Sequence, residues 1–112
     1  MTMTKRMLFI VAALAAFAAG NVAAADIEAG KKKVQEVCAA CHGIDGAAPI
    51  MPEYPKLSGQ YPDYLQKALR DYKSGARKNP IMAGFAQGLT DKDIENVAAY
   101  FSTQPSVLAT MH

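Results

Sequence analysis

The stretch Cys38-Ala39-Ala40-Cys41-His42 places two thiols and an imidazole within five residues. On a helix, positions i, i+3 and i+4 lie on one face, so Cys38, Cys41 and His42 can all reach a single planar group. Their C-x-x-C-H spacing is typical of a c-type haem attachment site. In such a site the thiols form thioether bonds to the haem vinyl groups, and the imidazole binds the iron from one side. The stretch therefore predicts one covalently attached haem c.

The first 25 residues have the layout of a secretory signal peptide. Lys5 and Arg6 form a positive start, an unbroken apolar run covers residues 7–19, and three alanines at 23–25 form a cleavage signal before Asp26. The run is shorter than the ~20 residues that span a bilayer. An uncleaved N-terminal anchor is the alternative. We therefore predict a signal peptide over 1–25, export to the periplasm, and one domain over 26–112.

The positive charge of the full chain comes from this leader. The 112 residues carry a formal net charge of +2, but removal of Lys5 and Arg6 leaves ten basic residues against ten acidic ones. A formally neutral domain gives no support to nucleic-acid binding. A mature chain of this size buries only a modest core, and its two cysteines allow at most one disulfide. A covalent haem would instead supply an apolar body around which the chain folds.

Apolar residues recur at helical spacing in three segments. The first starts at Asp26, a predicted N-cap, and runs into the haem motif. The second starts at Tyr61-Pro62-Asp63 and ends at Ser74-Gly75, with an apolar stripe of Leu65, Ala68, Leu69 and Tyr72. The third starts at Thr90-Asp91-Lys92-Asp93, a variant of the capping box, and stops before Pro105. No alternating strand pattern is present, so the sequence predicts an all-α fold with about three main helices.

Two stretches rich in glycine and proline, Gly43–Gln60 and Gly75–Leu89, separate the predicted helices. Apolar residues are interspersed in both, so we expect two ordered loops that wall the haem rather than flexible linkers. A backbone carbonyl near Pro49 or Pro52 would accept a hydrogen bond from the second ring nitrogen of His42 and fix its orientation.

Met82 is the predicted ligand on the other side of the iron. The mature chain has three methionines and one further histidine, namely Met51, Met82, Met111 and His112. Met51 follows His42 too closely, and Met111 and His112 are in the tail, whereas Met82 lies beyond an intervening helix. An imidazole and a thioether together leave the iron no open position, and the thioether raises its reduction potential. This ligand pair is typical of an electron carrier rather than an enzyme, so no catalytic residue is predicted.

The chain resembles a known family in several further segments. Beyond Cys38–Gly43 they are Tyr54–Gln60, Gly75–Met82, Leu89–Ile94 and Ala98–Phe101. The sequence is similar to the small class I c-type cytochromes of bacteria, of the cytochrome c-553 type, and to one haem module of the two-haem cytochrome c-4. This resemblance covers nearly the whole mature chain.

The resemblance implies a class I cytochrome c fold, in which the first and last helices cross. By position, Gly30 and Tyr100 fit that crossing. The resemblance also assigns six site residues: Cys38 and Cys41 as thioether donors, His42 and Met82 as iron ligands, and Gln60 and Arg77 as partners of the haem propionates.

The leading functional hypothesis is a periplasmic single-haem carrier that docks briefly with redox partner proteins at an exposed haem edge, as a monomer or weak homodimer. Ile50, Met51, Ala83 and Phe85 are candidates for the apolar rim of that edge. One alternative is an exported thiol or copper-handling protein. Another is a haem enzyme or gas sensor whose iron keeps an open position.

Overall fold

The computed structural model of the protein describes residues 24–106, and within them the chain forms helices and no strand. The elements are α1 (Ile27–Lys33), a π-helical turn (Val34–Cys38), α2 (Ala39–His42), α3 (Pro62–Ser74), α4 (Pro80–Ala86) and α5 (Asp91–Ser102). Because α1, the π turn and α2 continue into one another, this part of the chain holds four helices, and the predicted all-α class is confirmed. None of its helices is long and apolar enough to cross a membrane.

The predicted signal peptide lies outside the described residues except for Ala24 and Ala25, and Met111 and His112 lie outside them as well.

The capping residues read from the sequence are found at the helix ends. The Asp26 carboxylate accepts a hydrogen bond from the Ala29 N–H at 3.0 Å. Thr90 and Asp93 form a reciprocal capping box, with both bonds at 3.0 Å. Gly75 adopts a left-handed conformation (φ 89°) directly after α3, which a residue with a Cβ adopts only at a cost. Local side-chain chemistry therefore sets where these helices begin and end.

Helix α1 packs against α5 at Gly30, where the backbones nearly touch. A Cβ added to Gly30 would lie 2.0 Å from the carbonyl oxygen of Asn96 and 3.2 Å from Cβ of Tyr100. The Asn96 side chain, mostly buried, accepts a hydrogen bond from the Asp26 N–H at 2.8 Å. The predicted crossing of the first and last helices, with Tyr100 over Gly30, is confirmed.

The core joins α5 to the π turn and α3. Its buried members are Val34, Leu65, Val97, Ala98, Tyr100 and Phe101. Partly buried side chains pack against them, Cys38 and Leu69 included. Both of these also line a cavity, so the core and the candidate site are continuous.

Part of the second predicted loop is helical, which corrects the expectation for residues 75–89. Asn79 caps α4, because its side-chain oxygen accepts hydrogen bonds from the N–H groups of Ile81 (3.0 Å) and Met82 (3.1 Å). Pro80 occupies the first helical position, where its missing N–H costs nothing. The helix has only seven residues and contains a glycine, so its sequence shows no helical periodicity from which it could be predicted.

The π turn is a second departure from the sequence-based expectation of a regular first helix. The Ala39 N–H bonds to the carbonyl of Val34, five residues back, instead of four. The extra residue turns the haem motif relative to the part of α1 that contacts α5.

Candidate functional site

A cavity of about 230 Å³ lies among the π turn, α2, the first loop, α3, α4 and α5. Most of its walls are apolar, and the predicted stripe of α3 faces it through Leu65, Ala68, Leu69 and Tyr72. All six residues predicted for the haem site line this one cavity: Cys38, Cys41, His42, Gln60, Arg77 and Met82.

His42 is buried, at 7% exposure, and is oriented by a backbone group. Its Nδ1 lies 2.9 Å from the carbonyl oxygen of Pro55. Because a carbonyl only accepts, Nδ1 carries a proton and donates, so Nε2 is the ring nitrogen that can bind a metal. The expected partner near Pro49 or Pro52 was wrong: the third proline of the loop supplies the carbonyl.

The folding of the first loop explains why Pro55 takes this place. The Ile50 N–H donates to the carbonyl of Cys41 at 3.0 Å, so the chain near Pro49 is held at the end of α2. The Leu57 N–H then donates to the carbonyl of Gly46 at 2.8 Å and closes the loop on itself. This second contact returns the segment that follows Tyr54 toward the His42 ring.

The two cysteines are half-buried free thiols. Burial raises the pKa of the Cys38 thiol to about 11, although the positive charge of Lys33 opposes the shift. A raised pKa lowers the fraction of reactive thiolate at neutral pH, and thiol exchange requires the thiolate. The environment of Cys38 thus gives no support to a thiol-exchange protein.

Met82 lies in the first turn of α4 and is half-buried. It reaches the cavity from an element about 40 residues away from His42 in the chain. Its backbone is fixed by the Asn79 cap, a residue that also lines the cavity. The sequence pair Asn-Pro, a capping residue followed by proline, is the signal that could have identified this role.

Gln60 and Arg77 reach the same cavity and are engaged with their neighbours. The Gln60 side-chain oxygen accepts a hydrogen bond from the Tyr61 N–H at 2.9 Å. The Arg77 guanidinium lies 4.8 Å from the centre of the Tyr72 ring, within cation–π distance. Sequence reasoning did not identify this pairing. The propionate role of both residues stays a prediction.

The donors fit a haem better than a bare metal ion. Among residues 24–106, no cluster of three or more histidine, cysteine or carboxylate side chains could hold a metal by itself. The cavity instead combines two thiols, one oriented imidazole, one thioether and apolar walls. This set matches what a covalently attached haem requires.

Comparison with known proteins also indicates a haem protein. Residues 27–105 match the family model for cytochrome c. The chain belongs to the cytochrome c family. The cofactor of this cytochrome c is accordingly haem c with its iron, and Cys38 and Cys41 fit the attachment motif. The family and cofactor predicted from the sequence are confirmed.

Two relatives and one solved structure show how the chain compares in length. Cytochrome c4 of Stutzerimonas stutzeri is 48% identical over 73% of this chain, which spans only 42% of that relative. Cytochrome c-554(548) of Halomonas halodenitrificans is 44% identical over 72% of this chain, which spans 99% of it. The crystal structure of reduced recombinant cytochrome c4 from Pseudomonas stutzeri superposes with a TM-score of 0.67 and 45% identity, and the match covers 73% of this chain and 47% of that one. The chain thus spans less than half of cytochrome c4 and nearly all of cytochrome c-554(548).

Proposed function

We propose that this cytochrome c carries one electron at a time between redox proteins of the periplasm, with His42 and Met82 as the two iron ligands. The observation that carries the proposal is that α2 and α4 bring an imidazole and a thioether into the apolar cavity that also holds both attachment thiols. The haem supplies one-electron chemistry when bound.

The protein's own groups fit that role. The Nδ1–H of His42 donates to the Pro55 carbonyl, so Nε2 is the ring nitrogen left for the iron. The Met82 thioether favours the reduced iron and raises the potential. Apolar walls limit access of water, which also shifts the potential. With both axial positions filled, no site is left for a substrate, so we do not expect an enzyme.

Export and docking belong to the same proposal. The signal-like residues 1–25 support delivery to the periplasm. Partners would dock at the cavity mouth, where Phe85 lines the cavity and is 46% exposed. The other predicted rim residues, Ile50, Met51 and Ala83, do not line the cavity; Ile50 and Met51 are 66% and 41% exposed, and Ala83 is half-buried. We expect short-lived complexes through a small interface and a monomer or weak homodimer.

Carbon monoxide distinguishes a closed iron site from an open one. We expect the reduced holoprotein to titrate as a single one-electron centre and to show no change in its spectrum under carbon monoxide. Met82→Ala should bind the gas, because it leaves one axial position empty. Rapid, stoichiometric binding by the parent protein would contradict the carrier and favour a haem enzyme or gas sensor.

A further inference from the structure

Helix α4, which carries Met82, is too short to be stable by itself. It has seven residues, well below the ~12–15 that an isolated helix needs. Only Ala86 among them is fully buried. Its position must therefore depend on contacts with the rest of the domain, including those at its two ends. Asn79 holds the first end, through the N–H groups of Ile81 and Met82.

The second end of α4 is tied to the last turn of α3 by two side-chain hydrogen bonds. The Gln87 side-chain amide donates to the main-chain carbonyl of Lys73 at 2.7 Å. The Lys73 ammonium in turn donates to the carbonyl of Leu89. Leu89 is an anchor, since its side chain is buried and lines the cavity. We name Lys73, Gln87 and Leu89 the α3–α4 clasp.

We propose that the α3–α4 clasp keeps Met82 on the iron, and that Lys73 and Gln87 are positioning residues for this ligand. The inference rests on the proposed function, because it requires Met82 to be a ligand. Lys73 directly follows Tyr72, a residue of α3 that lines the cavity. The clasp therefore fixes α4, and Met82 with it, to the cavity wall formed by α3. Without its two hydrogen bonds, the α4 segment keeps the Asn79 cap, the packing of Ala86 and Leu89, and the main-chain hydrogen bond from Leu89 to Ala86.

The binding of an external ligand measures how firmly Met82 is held on the iron. Imidazole binds the oxidised iron only in molecules from which Met82 has moved away, so its apparent affinity rises in proportion to the fraction of such molecules. Removing one hydrogen bond of the clasp should raise that fraction about two- to tenfold, the range expected for a single hydrogen bond. The dissociation constant for imidazole should fall by the same factor.

The experiment compares Gln87→Leu and Lys73→Leu with two matched controls in α3. Gln66→Leu removes a side-chain bond to Arg70 (3.0 Å), and Lys67→Leu removes one to Asp71 (2.7 Å). Neither control bond reaches the α4 segment. Imidazole is titrated into each oxidised holoprotein, and thermal unfolding is measured in parallel. We expect tighter imidazole binding in the two clasp variants and parental binding in the controls. Equal affinities in all five proteins would overturn the proposal.

Met82→Ala distinguishes a failure of the clasp proposal from a failure of the proposed Met82 ligation. If it binds imidazole far more tightly than the parent while the clasp variants match the parent, the clasp proposal fails and Met82 ligation stands. If Met82→Ala and the parent bind imidazole equally well, Met82 is not a ligand, and both the proposed ligation and the clasp are wrong. A fall in the unfolding temperature without a change in imidazole affinity would show that Lys73 and Gln87 act only on stability.

Discussion

At Gly30 the absence of a side chain sets the distance between α1 and α5. A Cβ there would lie 2.0 Å from a carbonyl oxygen of α5, and a backbone atom cannot move aside as a flexible side chain can. We predict that Gly30→Ala lowers the free energy of unfolding by about 1–2 kcal/mol, because overpacking costs up to about 3 kcal/mol and alanine regains ~1 kcal/mol in a helix. Urea unfolding of the holoprotein measures this.

Gly84→Ala is the control, because a Cβ at Gly84 meets nothing within 4 Å. We expect it to leave the stability unchanged or to raise it by up to about 1 kcal/mol. Equal effects of the two substitutions would contradict the close approach at Gly30.

Tyr100 makes stability depend on pH in the alkaline range. Burial raises the pKa of its hydroxyl, and the charges of Asp45 and Glu28 raise it further. The hydroxyl also donates to the carbonyl of Ile44 at 2.8 Å. Because the unfolded chain loses this proton first, the stabilisation is complete below the unfolded pKa of about 10 and is lost as the pH rises through the folded value.

We therefore predict that, above about pH 9, the unfolding free energy falls less steeply with pH in Tyr100→Phe than in the parent. At neutral pH the same variant should be less stable by about 1 kcal/mol, because the Ile44 carbonyl loses its donor. Tyr61→Phe is the control, since Tyr61 is 77% exposed. Unfolding curves at several pH values test both parts, and parallel slopes for the parent and Tyr100→Phe would refute the assignment.

Single residues were predictable where the signal is local. The spacing of Cys38, Cys41 and His42 and the cap at Asp26 depend on neighbours a few positions away. The partner of His42 was not predictable in this way. Three prolines share one loop, and the choice of Pro55 depends on hydrogen bonds between distant parts of that loop.

At the scale of elements, the Asn79 cap determines how well α4 forms. Its side-chain oxygen satisfies two N–H groups that otherwise have no partner in the helix. We predict that Asn79→Ala lowers the unfolding free energy of the holoprotein by about 1 kcal/mol. Asn79→Ser, which keeps a capping oxygen, should recover most of that loss. Urea unfolding distinguishes the cap from simple loss of side-chain volume, which would make both variants equally unstable.

Helix starts and stops were predicted well because caps, prolines and glycines act locally. The π turn and α4 were not. A π turn is one residue longer than an α turn and leaves a pattern too short to distinguish from an ordinary helix. Helix α4 gains its stability from the Asn79 cap and from contacts with α3. Only the cap depends on residues that are adjacent in the sequence.

At the scale of the whole molecule, the cavity lies where a larger domain would have its core. Apolar side chains of α3, α4 and α5 face it, and a haem held by Cys38 and Cys41 would cover them. We predict that Cys38→Ser/Cys41→Ser, which cannot form thioethers, loses most of the far-UV helical signal when it is free of haem. A haem-free variant with the parental helical signal would show that the polypeptide folds without its cofactor.

The all-α class and the helix crossing were predictable because the haem motif and the family segments extend over nearly the entire domain. The cavity's apolar lining was predictable from the stripe on α3. The proposed iron ligation depends on how α4 meets that cavity, and therefore calls for a direct spectroscopic test.

The most direct test of the account is the optical spectrum of the oxidised holoprotein, recorded for the parent and for Met82→Ala. We predict a weak far-red band of methionine–iron ligation in the parent and its loss in the variant. The reduction potential of the variant should fall by on the order of 0.1–0.2 V, a fraction of the ~0.8 V that axial ligands span. A parent protein with haem c but no far-red band, or a band that persists in Met82→Ala, would contradict His42–Met82 ligation.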